Sequence, residues 1–158
     1  MSVAIYPGSF DPLTNGHFDI VKRFAGHFEK LYLVVANSSK KSYLFSHDER
    51  VALAKDVLSS VDGVEVVGWQ GLTIDCARKY KATAILRGVR AISDFDYEFS
   101  IAHTHTQLAP EIETFLVLAS PQHSFVASNL VKEVARNGGD VSSFVPKPIL
   151  TALNQKFS

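Results

Sequence analysis

The chain has 158 residues, of which 46% are apolar, and its sixteen Lys and Arg residues balance sixteen Asp and Glu residues. This length and apolar content predict one domain that spans residues 1–158 and contains a substantial core. The neutral charge argues against a general nucleic-acid binder, and the apolar runs are too short for the roughly 18 residues of a membrane-spanning helix. Because the N-terminus enters a predicted strand without a charged region or cleavage site, we expect a cytoplasmic protein.

The apolar run Val3–Tyr6 predicts a first strand, which a turn joins to a helix that begins near Gly16. Glycines in this turn can adopt conformations closed to other residues, which lets main-chain N–H groups approach a ligand, and the positive end of the helix attracts an anion. We therefore predict a phosphate site at which His17 presents an imidazole and Ser9 a hydroxyl. An ordinary loop, with Asn15 capping the helix and His17 idle, explains the same spacing equally well.

The continuous apolar run Leu31–Ala36 predicts a second strand covered on both faces. The polar loop Asn37–Phe45 follows it and holds Lys40 and Lys41 just past the carboxyl end of that strand, where ligands bind in open α/β sheets. A solvated basic loop is the alternative. Ser46 and the acidic residue three positions later have the S-x-x-E form of a capping box, which predicts the start of a helix.

Two arginines flank a glycine in Arg87-Gly88-Val89-Arg90, directly after the fourth predicted strand. Guanidinium groups can hold phosphate oxygens bidentately, and the glycine lets the backbone approach a flat ring or a sugar. Surface salt bridges to Asp94, Asp96 or Glu98 are the alternative. Farther along, Ser128 is predicted to cap a second helix whose N-terminus could bind an anion, although a plain N-cap is the commoner role.

The remaining elements complete an alternation of strands and helices. In the helix Ser93–Leu108 we expect Tyr97, Ile101 and Leu108 to face inward. The other predicted strands are Val64–Val67, Ala84–Leu86 and Glu113–Leu118, and a loop is predicted at Gly68–Gly71. The other predicted helices are Ser46–Ser59, Leu72–Tyr80, one from Ser128 to Gly138-Gly139, and a short last one after Pro146.

This order predicts an α/β fold, a single Rossmann-like domain with a five-stranded parallel sheet flanked by helices. The loops that carry the candidate residues all follow strands, so they should meet at one edge of the sheet. Cys76, the only cysteine, is predicted to be a small buried residue, and His103 and His105 in a helix point about 200° apart and cannot share a metal. The loops at this edge should thus form a cleft with two helix N-termini, cations and a histidine, but without a cysteine nucleophile or a pair of metal ligands. Such a cleft suits the binding and transfer of phosphates, and we expect no metal held by protein side chains.

Thr14-Asn15-Gly16-His17 has the (H/T)-x-G-H form of the nucleotidyltransferase superfamily, and Tyr6–Pro12 resembles the bacterial phosphopantetheine adenylyltransferases. Three further blocks resemble that family in the expected order, namely Arg87–Arg90, Asp96–Glu98 and Leu130–Ala135. The resemblance therefore covers essentially the whole chain. It implies adenylyl transfer from ATP to 4′-phosphopantetheine, giving dephospho-coenzyme A and pyrophosphate in the penultimate step of coenzyme A biosynthesis. It also implies Mg²⁺ as a cofactor and a homohexamer built as a dimer of trimers.

The resemblance implies roles for individual residues. His17, Lys41 and Arg90 are expected to be catalytic, with His17 donating to the α-phosphate and Lys41 bridging the two reacting phosphates; one residue of slippage would give Lys40 this role. The acceptor is expected to be bound by Ser9, Lys41, Thr73 and Arg87. ATP is expected to be bound by Ser9, Phe10, His17, Gly88, Val89, Arg90, Glu98, His123, Ser124, Phe125, Val126, Ala127, Ser128 and Asn129.

Three departures from the family pattern fall near these positions. Ser9 replaces the usual Thr, Ala127 and Asn129 replace hydroxyl residues, and His103–Thr106 replaces a Met-Asn-Arg-like run on the acceptor side. Two alternative functions remain. One is a sister nucleotidyltransferase that acts on nicotinate mononucleotide or glycerol 3-phosphate, and the other is a nucleotide-sensing module without turnover.

Overall fold

The computed structural model describes residues 2–158, which form five parallel strands and six α-helices, and the predicted Rossmann-like α/β fold is confirmed. The strands are β1 (Val3–Gly8), β2 (Lys30–Asn37), β3 (Val64–Gln70), β4 (Ala84–Val89) and β5 (Glu113–Leu118). The helices are α1 (Asn15–Phe24), α2 (His47–Leu58), α3 (Thr73–Lys79), α4 (Ile92–Leu108), α5 (Ser128–Arg136) and α6 (Lys147–Phe157). Within residues 2–158, none of these helices has the length and apolar character needed to cross a membrane.

The sheet opens between β1 and β4. Its strand order is β3-β2-β1-β4-β5, and in such sheets ligands bind where the order reverses, at the carboxyl ends of the strands. β1 pairs with β2 along all 6 of its residues but with β4 only at Ala4 and Ile5. Pro7 has no N–H to donate to a ladder, and its carbonyl accepts a hydrogen bond from Arg87 (3.4 Å) instead. The two strands therefore separate and leave a cleft.

The core lies on both faces of this sheet, because alternate residues of a strand point to opposite faces. Ala4 and Tyr6 of β1 belong to the larger hydrophobic cluster, with side chains from α1, α2, α5 and α6. Ile5 belongs to the smaller cluster, which includes α3. Cys76 is fully buried there, as predicted, and burial raises the pKa of its thiol to about 11, so it remains protonated and inert at neutral pH.

β3 and β4 are longer than predicted. Gly68–Gln70, expected in a loop, continue β3 and pair with Val35–Asn37 of β2. Arg87–Val89, expected beyond the end of their strand, continue β4 and pair with Leu116–Leu118 of β5. Pairing with a neighbouring strand has extended each strand through a glycine, Gly68 in β3 and Gly88 in β4, whose own β-propensity is low. One consequence is that Arg87 is held by the sheet itself.

Capping interactions set where the helices start. The predicted capping box of α2 is confirmed, since Ser46 Oγ accepts from the Glu49 N–H (3.1 Å) and Glu49 Oε2 accepts from the Ser46 N–H (2.7 Å). In α1 the N-cap is Thr14 rather than Asn15, whose side chain donates to the Ser143 carbonyl (3.0 Å). α1 ends at Phe24, and a 3-10 turn, Ala25–His27, follows it.

The expectation that Tyr97 and Leu108 face inward is wrong, since these side chains are 64% and 50% exposed. α4 packs against β5, the edge strand of the sheet, and the one residue that it buries fully is His105. The Nδ1 atom of His105 lies 3.1 Å from Thr114 Oγ1 of β5. Much of the apolar surface of α4 therefore faces outward.

Candidate functional site

A cleft of about 500 Å³ lies at the carboxyl ends of β1 and β4. This volume is within the range of small-molecule and nucleotide sites. The loops after β1, β2, β4 and β5 all contribute to it, as the predicted convergence requires. The predicted site residues that line it are Ser9, Phe10, His17, Lys41, Arg87, Gly88, Arg90, Glu98, His123, Val126, Ala127, Ser128 and Asn129.

A capping box at the start of α1 fixes the orientation of His17. The Thr14 N–H donates to His17 Nδ1 (3.0 Å), and the Thr14 hydroxyl lies 3.2 Å from the same nitrogen. A backbone N–H can only donate, so Nδ1 is the acceptor and the proton of the neutral ring is on Nε2. Edge-to-face contact with the Phe10 ring, at 5.0 Å between centroids, packs the imidazole from the side. His17 is thus a fixed hydrogen-bond donor at the cleft.

The neutral state of His17 has a physical cause. Burial among protein atoms disfavours the imidazolium, and the positive charge of Arg90 adds to that effect, so the pKa of His17 falls to about 4. The ring is therefore uncharged at physiological pH. It can stabilise developing negative charge by hydrogen bonding but does not supply a full positive charge.

The glycines of the first loop do not adopt the special backbone conformations that were predicted for them. Neither Gly8 nor Gly16 has a positive φ, whereas Phe10 does, at 48°. A Cβ on Gly8 would lie 3.0 Å from the tip of the Phe10 ring, so glycine at this position makes room for a buried aromatic ring. A non-glycine residue held at positive φ is strained, and such strain is concentrated at ligand sites.

Lys41, and not Lys40, is the lysine of the basic loop that lines the cleft. Its ammonium group lies 3.5 Å from Ser9 Oγ, so the loops after β1 and β2 meet at this point. Both groups can donate to one phosphate oxygen that lies beside the pair. The geometry therefore favours Lys41 over Lys40 for the predicted bridging position.

The two arginines have carboxylate partners within the protein, as the salt-bridge alternative expected. Arg87 makes a bidentate pair with Glu98, with Nε–Oε2 and Nη2–Oε1 distances of 2.6 and 2.9 Å. Arg90 pairs with Asp94 at 3.2 Å between Nε and Oδ2. Both arginines nevertheless line the cleft. Pairing and phosphate binding are compatible here, because a guanidinium carries five donors.

Ser128 does not cap α5, contrary to the prediction. It is the first residue of the helix, and its hydroxyl donates to the Pro12 carbonyl (2.8 Å) of the first loop. The N-cap is Ala127, which has no side chain able to accept from the first-turn N–H groups. These backbone donors lie beside the cleft and, with the positive end of the helix, form a site suited to an anion.

The sequence did not point to Lys132 or Asp11 as a pair. Lys132 Nζ lies 3.0 Å from Asp11 Oδ2, and the two residues are far apart in the chain. The buried Asp11 carboxylate also accepts from the N–H groups of Leu44 (2.9 Å) and Phe45 (3.0 Å). Both residues lie in blocks that resemble the family, Asp11 in Tyr6–Pro12 and Lys132 in Leu130–Ala135, but nothing in the sequence pointed to their pairing. The pair joins α5 to the first two loops.

The cleft is locally positive even though the whole chain is neutral. Its cations are Lys41, Arg87, Arg90 and Lys132, and its carboxylates are Asp11 and Glu98. With the uncapped start of α5, this arrangement suits a ligand that carries several phosphate charges.

Four predicted site residues lie outside the cleft lining. They are Thr73 at the start of α3, the buried Val89, Ser124, and the largely exposed Phe125. Their roles stay predictions that follow from the resemblance alone. His123, Val126 and Ala127 do line the cleft, so part of the predicted segment after β5 faces it.

A family model described as cytidylyltransferase-like matches residues 5–134. The matched span includes every residue that lines the cleft. Family membership implies nucleotidyl transfer, in agreement with the Thr14-Asn15-Gly16-His17 motif and with a positive cleft at the switch point of the sheet. This chain belongs to the cytidylyltransferase-like family of nucleotidyltransferases.

Proposed function

We propose that the protein transfers the adenylyl group of ATP to 4′-phosphopantetheine, releasing dephospho-coenzyme A and pyrophosphate. The observation that carries the transfer chemistry is His17, whose Nε2–H is fixed as a donor by the Thr14 N–H on Nδ1 (3.0 Å). The choice of ATP and of this acceptor rests on the sequence blocks Tyr6–Pro12, Arg87–Arg90 and Leu130–Ala135, which resemble those of phosphopantetheine adenylyltransferases.

In the proposed reaction a phosphate oxygen of the acceptor attacks the α-phosphorus of ATP. The new P–O bond forms while the bond to the oxygen bridging the α- and β-phosphates breaks, and pyrophosphate leaves with that electron pair. The attacking phosphate is already ionised at neutral pH, so the reaction requires no general base. Catalysis then consists of positioning and charge stabilisation. His17 would donate to an α-phosphate oxygen, and Lys41 beside Ser9 would bridge the two reacting phosphates.

The other cations have roles that follow from their positions. Arg87, held by β4 and by Glu98, would bind the phosphate of the acceptor. Arg90 and the uncapped first turn of α5 would bind the polyphosphate of ATP and the departing pyrophosphate.

The expected Mg²⁺ fits this site as part of the substrate. Within residues 2–158 no three His, Cys, Asp or Glu side chains lie together in a group that could hold a metal ion. The two carboxylates in the cleft lining, Asp11 and Glu98, are each bound to a cation. Mg²⁺ commonly binds through substrate phosphates and water, so we propose that it enters as the MgATP complex.

We also propose a homohexamer, for which the outward apolar surface of α4 and β5 gives support. Among the exposed apolar side chains, Ile92 at the start of α4 is 91% exposed and Leu118 at the end of β5 is 70% exposed. Monomers rarely leave large contiguous apolar patches uncovered, and further copies of the chain would cover this one. Light scattering on the purified protein would give the number of subunits. The cytoplasmic location stays a prediction.

The test is pyrophosphate release from MgATP, with 4′-phosphopantetheine, nicotinate mononucleotide and glycerol 3-phosphate offered separately. We expect release with 4′-phosphopantetheine alone. Release with another acceptor would overturn the proposed substrate but not nucleotidyl transfer. No release with any acceptor, alongside measurable ATP binding, would instead support the nucleotide-sensing module.

A further inference from the structure

Arg50 of α2 is a buried charge that the proposed reaction does not use. It is 1% exposed, and its guanidinium donates to four oxygens from three segments of the chain. The acceptors are Ser9 O (2.8 Å), Ala36 O (2.8 Å), Asn37 Oδ1 (2.7 Å) and Phe45 O (3.2 Å). These oxygens belong to the first loop, the end of β2, and the end of the basic loop Asn37–Phe45.

Arg50 also holds the middle of the basic loop. The Tyr43 ring stacks on the guanidinium with its centroid 3.8 Å from Cζ, and the Tyr43 phenolic oxygen accepts from the Ser38 N–H (3.0 Å). Ser38 and Tyr43 flank Lys41 in sequence. The loop that carries Lys41 is therefore anchored to Arg50 at both ends and through one aromatic ring.

We propose that Arg50 is a positioning residue, which fixes the Lys41 loop against the Ser9 loop so that Lys41 and Ser9 face one phosphate. Lys41 Nζ and Ser9 Oγ lie 3.5 Å apart, and Arg50 binds the main chain of Ser9 directly. This role rests on the proposed function, because it takes Lys41 to be the residue that bridges the reacting phosphates.

The geometry requires arginine at this position. Four acceptors in different directions match the planar fork of a guanidinium, which carries five donors, whereas an ammonium has three donors on a flexible stem. Lysine would keep the positive charge but lose the stacking on Tyr43 and part of the hydrogen bonding. A displacement of about 1 Å in a group that positions a reacting phosphate can reduce the rate about 100-fold.

The test compares Arg50→Lys with a control variant, Arg78→Lys. Arg78 lies on α3, donates to the Leu108 carbonyl (3.1 Å) and to Glu111, and does not line the cleft. For Arg50→Lys we expect kcat to fall about 100-fold, while KM for ATP stays within about threefold, because Arg50 does not line the cleft. Trypsin should also cleave after the exposed Lys40 and Lys41 faster than in the wild type. Arg78→Lys should match the wild type in each measurement.

A folded Arg50→Lys variant with wild-type kcat and wild-type cleavage after Lys41 would overturn the proposal. So would a rise in KM for ATP with kcat unchanged. If Arg50→Lys does not fold, Asn37→Ala gives the test, since it removes the Asn37 Oδ1 acceptor of the Arg50 guanidinium (2.7 Å) at a residue that does not line the cleft. Faster loop cleavage with lower kcat is expected, and wild-type behaviour in both would refute the proposal. If the wild type itself releases no pyrophosphate, the proposed function fails, and the cleavage rates still decide whether Arg50 anchors the loop.

Discussion

Replacing His17 with alanine should nearly abolish turnover and leave ATP binding largely intact. The substitution removes the Nε2–H donor that the capping box aims into the cleft. Loss of one donor to a charge that develops in a transition state lowers kcat about 100- to 1,000-fold, equivalent to about 3–4 kcal/mol. In the proposed reaction the ATP phosphates are bound by Arg90 and the start of α5, and these contacts do not involve His17. KM for ATP should therefore change far less than kcat.

A structural cost accompanies this substitution and must be measured separately. His17 also accepts from the Thr14 N–H, and loss of a capping interaction destabilises a protein by about 1 kcal/mol. Urea unfolding of His17→Ala would measure this cost. It is too small to unfold a domain of ordinary stability, so an inactive variant that unfolds cooperatively has lost chemistry rather than structure.

The assay is steady-state pyrophosphate release from MgATP with saturating acceptor. His27→Ala is the matched control, because His27 is an exposed histidine in the turn after α1 and does not line the cleft. It should have wild-type kcat. A folded His17→Ala variant with kcat within about threefold of the wild type would remove His17 from the mechanism.

Three further predictions test the surroundings of His17. Gly8→Ala should destabilise the protein by about 1–3 kcal/mol in urea unfolding, because the new Cβ would lie 3.0 Å from the Phe10 ring. Gly26→Ala is the control and should be less affected, because a Cβ at Gly26 has no atom within 4 Å. The pKa of His17 is about 4 in the folded protein and 6.5 for the free side chain, so the unfolded chain binds more protons between these two pH values. The free energy of unfolding should therefore fall as the pH decreases from 6.5 to 4, by at most about 3 kcal/mol. Urea unfolding of His17→Ala should depend less on pH, and the same pH dependence as the wild type would contradict this origin. Arg87→Lys should raise KM for 4′-phosphopantetheine about 10-fold with little change in KM for ATP, because lysine cannot bind the acceptor phosphate bidentately. An unchanged KM for the acceptor in steady-state assays would count against this role of Arg87.

The sheet and the position of the cleft could be predicted because they depend on local patterns. Apolar runs such as Leu31–Ala36 give the strands, and a parallel sheet brings the loops that follow them to one edge. The motif ending at His17 contains both the residue and the Thr14 cap that orients it. The alternative explanation of this loop placed the cap of α1 at Asn15 instead, because Asn, like Thr, is a favoured capping residue.

The residues that hold the cleft together could not be predicted, because their partners are distant in the sequence. Arg50 follows Asp48 and Glu49 at the start of a helix, a position typical of a solvated charge, yet it is buried against main-chain oxygens of other loops. Lys132 likewise gave no sign of its pairing with Asp11. Such contacts depend on the tertiary arrangement, which no local propensity or periodicity encodes.

The distribution of charge gives a chain with balanced total charge a positive site for a small ligand. The four cations of the cleft come from the β2, β4 and α5 regions and face a concave space of about 500 Å³. General nucleic-acid binders instead present their cations along an open face or stripe that a long backbone can follow. Inside a cleft, low-dielectric walls strengthen the field on a small ligand, while a balanced total charge gives the whole chain no strong positive field. The positive character of this site therefore depends on where the fold places its cations rather than on how many the chain has.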